Sequence, residues 1–535
     1  MKKTLMTRIY LGIIILLSIT GGVIAIYSTA NGPWGYTDPV AYISTAHSIL
    51  HGQGVGYYEG NAQFIPLTWY PPFYSMALSV IGLTGINLVA AARWLNILSF
   101  AASIFIAGWI FLRFSRVPVM GVIASALMCA FPYMLEMFSS SYSEPLFVLL
   151  YLSSGFCLLL YLKKEKPALF ALSAVVLGLI PFTRYAGIAM LASGSLSIFL
   201  LTSGKMWPRI KKVTLFALIG SLPTLLWFIW VYIVDNHRLG GRDLGINWEI
   251  LAAKFQSFRG AFMDTVWMWI PFQSHTTLYS RVRFVLMGIG LITIIVLSFL
   301  AKRQINKNTK DSDQKSDTSV FVYFGLSSLT YLAFLIVSYL FILPTIAIDN
   351  RTLLPLFVGI VMGLLGAFAL WQTAWFRERK RLLQILPWLV GILCVYWYLP
   401  QVREKAEFYH QGDGLTAYHW NRSKIIQAVR ALPADIPVIS NDWELLLLWT
   451  QRPIYGFWNT FPSDLPIQTT AYGTNPGDHV QSVFCDQGAA LVIFTDFPTQ
   501  FIDNIGDTAQ NNVSELFAGL SISGTYPDGT IYFCH

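Results

Sequence analysis

The chain has 535 residues, 55% hydrophobic and only 12% charged, with a formal net charge of +8 and a mean hydropathy of +0.55. Soluble globular domains carry about 25% charged residues, so this composition excludes one. Residues 401–535 hold 6 basic and 14 acidic residues, which leaves the positive excess to the first 400. There it sits in short clusters between apolar runs, a pattern of membrane topology and not of a nucleic-acid surface.

A helix needs about 20 apolar residues to cross a bilayer. The first such run, "IYLGIIILLSITGGVIAIYS", lacks a small-residue cleavage site and is followed by others, so a retained helix is expected. Eleven spans are expected in all, at 9–28, 92–112, 118–135, 143–162, 167–181, 185–202, 213–234, 282–300, 320–342, 352–374 and 384–400. This layout puts Lys2/Lys3/Arg8, Arg113/Arg116, Lys163/Lys164/Lys166, the clusters at 205–212 and 302–315, and that at 377–381 on one side. That side is cytoplasmic, which places the N-terminus inside and the tail outside.

The segment 72–92 would upset this layout if it crossed. Pro71 and Pro72 suit a sharp helix start, and a short helix on the outer face keeps the charges consistent. The outer loops 29–91 and 235–281 carry Trp34, Trp69, Trp248, Trp267 and Trp269, which suit a headgroup belt or a sugar ring. A further surface helix is expected in "GAFMDTVWMWIPF", and a mobile cytoplasmic loop without catalytic residues at 301–318. Gly359 and Gly363 are spaced for close helix contact.

The tail, 401–535, reads as a small α/β domain. "SKIIQAVRAL" and "NVSELFAGL" have helical character, "IPVISND" and "AALVIFTDF" read as strands, and "SGTYPDGTIYFCH" as a hairpin turning at Pro527-Asp528-Gly529. Cys129, Cys157 and Cys394 lie in apolar runs and are expected to be inert. Cys485 and Cys534 can pair if the tail lies outside the cytosol, and the sequence leaves that open.

Between Arg8 and Arg93 there is no Lys or Arg, and the only acids are Asp38 and Glu59. Asp38, in "YTDPVAYIST", can act as a general base toward a hydroxyl or cap the helix that Pro39 begins. Glu144, in "SSSYSEPLF", can hold a cation, take a second catalytic role or cap a span. Arg184 in "PFTRYAGI" and Arg351 in "AIDNRTLLPLF" stand on the outer side, where basic residues are disfavoured. Either can grip a phosphate with paired hydrogen bonds, or Arg351 can pair with Asp349. Arg238, Arg242, Arg259, Tyr185 and His419 are weaker candidates. No phosphate loop, GxGxxG turn or HExxH pair gives ATP, NAD or zinc chemistry a seat.

The set resembles the GT-C class of membrane glycosyltransferases, in particular the protein-mannosyltransferase-like and aminoarabinose-transferase-like superfamily. The matching elements are Asp38 after the first span, the double proline of "TWYPPFYSMAL", Glu144 before the fourth span, Arg184-Tyr185 between middle spans, and Arg351. They cover about residues 1–360, and the tail resembles the small outer domain of some relatives. The resemblance implies a GT-C-like polytopic helical fold, with a catalytic domain at 1–400 and an extracytoplasmic α/β domain at 401–535. It implies an inverting glycosyltransferase of the cell membrane. The donor would be a polyprenyl-phosphate sugar and the acceptor a protein, lipid or glycan, with no nucleic acid involved. Asp38 would be the base, with Glu144 holding the acceptor or a cation. Arg184, Tyr185 and Arg351 would bind the donor. Some relatives carry two adjacent acids where this chain has Thr37-Asp38, so dependence on a divalent cation stays open. The competing reading is a lipid or glycan flippase or transporter, which predicts inverted repeats and charges at mid-membrane depth.

Overall fold

The structure, a computed structural model, describes residues 2–235, 242–245, 248–270, 312–375, 382–457, 483–500, 517 and 520–534. In chain order its helices are α1 (Lys2–Ser28), α2 (Thr37–Leu50), α3 (Phe73–Gly82), α4 (Leu88–Phe114), α5 (Val119–Ala130), α6 (Pro132–Phe138), α7 (Glu144–Lys164) and α8 (Pro167–Thr183). They continue as α9 (Ile188–Leu201), α10 (Met206–Val234), α11 (Trp248–Met268), α12 (Ser312–Phe341), α13 (Asn350–Trp375), α14 (Leu382–His410), α15 (Lys424–Ala431) and α16 (Trp443–Thr450). The chain divides into two compact units. The first comprises Met1–Ser28, Thr68–Tyr74 and Trp94–His410, and the second Thr29–Leu67, Ser75–Arg93 and Gln411–His535.

The first unit is a helical membrane bundle. Among the described residues, α1, α4, α7, α10, α12 and α13 are long and apolar enough to span a bilayer. The pair α5 and α6, bent by 62° at Phe131, is a seventh candidate. Leu218, Leu222, Leu226 and Ile233 of α10 are each more than half exposed. In water that would be costly, whereas lipid tails satisfy such a face. Of the eleven expected spans, the one at 282–300 lies outside the described residues. Those expected at 167–181 and 185–202 fall on helices of 17 and 14 residues. These rise only about 26 and 21 Å at ~1.5 Å per residue. The polar stretch expected as a loop to residue 318 is helical from Ser312, and Asp317 accepts a hydrogen bond from the Arg116 amide at 3.1 Å.

Lipid gives helices little hydrophobic reason to associate, so close backbone approach must supply the contact. Gly178 of α8 lies against Gly220 of α10, where a Cβ would run into the Gly220 carbonyl. Gly359 of α13 does the same work against α12 and α7, since a Cβ there would meet Ser328 Oγ at 2.6 Å and Tyr151 OH at 3.0 Å, whereas a Cβ on Gly363 would make only ordinary contact, 3.5 Å from Gly325 N.

The segment expected to lie on the surface forms α3, whose 10 residues are too few to cross. The surface helix expected around Trp267 begins earlier, at Trp248. Trp269, expected at the headgroups or on a sugar ring, is instead buried at 8% exposure. Its indole donates to Asn350 Oδ1 at 3.1 Å, and its ring packs edge-on to Phe131 and Phe357.

The second unit gathers the tail with residues 29–67 and 75–93, which a linear reading assigns to the catalytic domain. Backbone bonds stitch the loop to the tail: Leu415 donates to Gly35 O at 2.8 Å, Tyr418 to Asn31 O at 2.8 Å and Gly456 to Gly60 O at 2.6 Å. The strands β1 (Gly56–Tyr58) and β2 (Phe64–Pro66) form a hairpin within the loop. In the first unit, β3 (Asp243–Leu244) pairs with β4 (Ile342–Leu343). The tail adds β5 (Val438–Ser440), β6 (Tyr455–Gly456), β7 (Ala490–Phe494), β8 (Ser521–Tyr526) and β9 (Gly529–Phe533), in the sheet order β6-β5-β7-β9-β8. The β6-β5-β7 pairs are parallel, and β9 runs antiparallel to both β7 and β8. The terminal hairpin turns through Pro527 and Asp528 alone, since Gly529 already pairs with Tyr526. Cys485 and Cys534 form a disulfide. The helix expected in "NVSELFAGL" lies largely outside the described residues.

Candidate functional site

In the first unit the site is built around one buried carboxylate. Glu144 opens α7 with Pro145 behind it, and Ser143 is the helix cap. A helix N-terminus favours a negative charge. The preceding loop, Ser139 to Ser143, is buried, which would normally leave backbone groups unpaired. Asn96 of α4 prevents this: its amide donates to Ser140 O at 2.6 Å and Tyr142 O at 3.2 Å. Ser28 and Ser139 share a hydroxyl hydrogen bond at 2.7 Å. The carboxylate is thus delivered by a stitched loop.

Glu144 is 1% exposed, and its Oε1 accepts from both Arg184 Nη1 and Arg351 Nε. Both arginines remain about a quarter exposed, at 23% and 24%. Arg184 also donates to Ser143 Oγ at 3.3 Å, and the Arg351 guanidinium lies 4.1 Å from the centre of the Tyr142 ring. Glu144 Oε2 has no hydrogen-bond partner among the described residues. Two guanidiniums thus meet one carboxylate oxygen, and both keep part of their surface open.

The two arginines are placed by helix ends. Arg184 follows α8 in extended conformation and leads into a 3₁₀ turn, Tyr185–Gly187. Gly187 is required there, because a Cβ would strike the Pro181 backbone. Asp349 accepts from Thr352 N at 2.8 Å and Thr352 Oγ1 at 2.5 Å, capping α13, while Arg351 turns to Glu144. Tyr185 donates its hydroxyl to Thr68 O at 3.3 Å and accepts from Trp227 Nε1 at 3.1 Å.

Asp38 belongs to the second unit. It stands in the first turn of α2, whose cap position is Tyr36, so it does not cap the helix. Gly35 permits the tight entry: a Cβ would meet Pro39 Cγ at 2.6 Å. Beside it, Thr37 Oγ1 donates to Glu444 Oε2 at 3.4 Å. Burial raises the Glu444 carboxyl above its ordinary range, Thr37 opposes this, and the charge of Asp38 adds to it. Burial also pushes Tyr57 up to about 12, helped by Glu59, Glu444 and Asp38. Asp38, Glu59 and Glu444 thus lie near one another around Tyr57, and Glu444 was not visible as a neighbour in the sequence. Asn96 was also missed, although a polar residue inside an apolar run is a signal for it. His419 lies in a 3₁₀ turn of the second unit, and Arg238 lies outside the described residues.

A separate cavity of about 230 Å³ in the second unit is lined by Ile43, His47, Leu50, Asn87, Trp449 and Gln451, among others. None of its lining groups is a carboxylate or guanidinium, so it lacks the chemistry of either set. Among the described residues, no three of His, Cys, Asp and Glu gather as metal ligands would.

No family model matches the chain, and no curated protein matches it in sequence. Solved structures do. A mutant of arabinofuranosyltransferase AftD from Mycobacteria aligns over 97% of this chain and 41% of its own, at 15% identity and a TM-score of 0.50. ArnT from Cupriavidus metallidurans aligns in the apo state over 97% of both chains at 12% identity, with a TM-score of 0.44. The same protein bound to undecaprenyl phosphate gives 12% identity and a TM-score of 0.42. The AftD likeness speaks to architecture: the chain is a multi-pass helical membrane protein with a GT-C-like fold.

Proposed function

We propose that the chain is an inverting glycosyltransferase that uses a polyprenyl-phosphate sugar on the outer face of the membrane. The observation that carries this is the Glu144 cluster: two half-buried arginines brought together on one carboxylate oxygen, each about a quarter exposed. A phosphodiester carries one negative charge, and its departing phosphate gains a second. Fixed guanidiniums that meet the growing charge stabilise the transition state more than the ground state.

In this reading Asp38 takes the proton from the acceptor hydroxyl. The acceptor oxygen forms its bond to the anomeric carbon as the bond from that carbon to the phosphate oxygen breaks. The electron pair leaves with polyprenyl phosphate, and the anomeric configuration inverts. Arg184 and Arg351 hold the phosphate, and Glu144 positions both. The disulfide supports an oxidising compartment for the tail, with the N-terminus cytoplasmic. The acceptor is a hydroxyl on a protein, lipid or glycan.

The test is transfer from a panel of radiolabelled polyprenyl-phosphate sugars in membranes. Asp38→Asn is expected to lose at least 100-fold in turnover, within the ~10²–10⁴ that a general base contributes, with donor affinity within about twofold. Wild-type turnover in Asp38→Asn removes the proposed base. Unchanged donor affinity in Arg351→Ala removes the phosphate role.

A further inference from the structure

The segment Thr68–Tyr74 of the first unit reads "TWYPPFY". Two successive carbonyls in it are taken by side chains from distant parts of the chain. Tyr185 OH donates to Thr68 O at 3.3 Å, and Arg242 Nη2 donates to Trp69 O at 2.9 Å. The Arg242 guanidinium also lies 4.6 Å from the Tyr185 ring centre and 5.9 Å from that of Trp69. Tyr185 is itself stacked on Phe228 at 5.2 Å. Arg242 leads directly into β3, which the ladder with β4 holds. Pro71 and Pro72 fix φ just beyond Trp69.

The backbone of Trp69 is therefore clamped, yet its side chain is 42% exposed. A tryptophan in a headgroup belt needs no clamp, because it is held by partition alone. A ring that must receive a flat ligand face does need one, since every group ordered on binding subtracts from affinity. The partners of such a face are the C–H bonds of a sugar ring, which carry partial positive charge toward the aromatic quadrupole. Tyr185 and Arg184 are chain neighbours, with Cα atoms ~3.8 Å apart. The clamp and the arginine on Glu144 therefore share one turn. In a polyprenyl-phosphate sugar a single anomeric oxygen joins ring to phosphate, so a phosphate on Arg184 carries its ring into this neighbourhood.

We propose that Trp69, clamped by Arg242 against Tyr185, is the stacking face for the glycosyl ring of the lipid-linked donor. This subsite rests on the donor reading above. The subsite recognises the ring, whereas the Glu144 cluster recognises the phosphate.

The experiment measures binding by the purified full chain in nanodiscs. The probes are undecaprenyl phosphate and the same lipid phosphate carrying glucose, mannose or arabinose. Trp69→Ala is expected to weaken the best-bound glycosylated lipid by about tenfold and the bare lipid by less than twofold. Trp69→Phe is expected to restore most of the loss, and Arg242→Gln to mimic Trp69→Ala. Arg351→Ala is expected to weaken both lipids alike. Equal losses for bare and glycosylated lipid in a folded Trp69 variant overturn the subsite and leave a belt role. So does an unchanged affinity for the glycosylated lipid, which moves any stacking to the acceptor. Binding of neither lipid by the wild type overturns the donor reading and the subsite with it.

Discussion

In the proposed reading Glu144 acts through the two arginines and not on a substrate. Its carboxylate is buried and engages two guanidiniums, so its removal leaves two positive charges facing each other. Breaking a buried pair by deleting one partner costs about 3–5 kcal/mol, and the partial exposure of both arginines lowers that figure. Glu144→Gln is expected to lower thermal stability and to cut turnover by more than tenfold. Glu144→Asp, one methylene shorter, is expected to keep one arginine and part of the activity. The acceptor KM should stay near wild type in Glu144→Asp, and a large selective rise in it would mean that Glu144 holds the acceptor. The sequence marked Glu144, Arg184 and Arg351 separately, by residue type and by their place at span ends. It did not pair them, because the pairing joins residues 207 positions apart and Asp349 offered a nearer partner for Arg351. Glu444 beside Asp38 stayed hidden for the same reason, with 407 positions between Thr37 and Glu444.

At the scale of elements, small residues set how closely helices lie, and that distance sets where arginines emerge. Gly178 touches Gly220 one and a half turns before α8 delivers Arg184. Gly178→Val is expected to push α8 and α10 apart, lower thermal stability and reduce turnover, although residue 178 meets neither Glu144 nor either arginine in any hydrogen bond described. A circular-dichroism melt paired with the transfer assay reads both effects. Unchanged melting and turnover would show that the helices can separate freely. Helix positions were legible because apolar length is a strong signal. Ends and depths were less so: α3 stops after 10 residues where the apolar run continues, since Gly82 and Gly85 break it. Trp269 went to the interior because Asn350 offers its indole a partner there, which no local pattern announces.

At the scale of the whole molecule, the second unit carries its own pH response. Asp442 caps α16 by accepting from Leu445 N at 3.3 Å. Burial pushes its carboxyl up to about 7, with the charges of Asp496 and Glu444 adding to the rise. Its folded value lies above the unfolded one, so the folded state binds the proton more tightly. Stability from this group is full below the ordinary carboxylate range and is lost as pH rises toward and through about 7. Hydrogen exchange across Trp443–Thr450 is expected to be slower at pH 5 than at pH 8 after correction for the intrinsic rate. Asp442→Asn keeps a capping oxygen and should flatten that difference. A difference that survives the substitution assigns the response to another group. The α/β character of the tail was legible from its short strands, whereas its partnership with residues 29–67 was not, because nothing in composition links the two.

That partnership has a consequence for biosynthesis. Residues 29–67 leave the ribosome more than three hundred residues ahead of the strands they join. At ~5–20 residues per second the wait is on the order of twenty to seventy seconds. During it, the backbone groups of Asn31, Gly35 and Gly60 lack the mates they later find at Tyr418, Leu415 and Gly456. The early loop therefore completes its backbone pairing only after the tail is made, and a holdase that shields it in this interval is expected to raise the yield of folded protein.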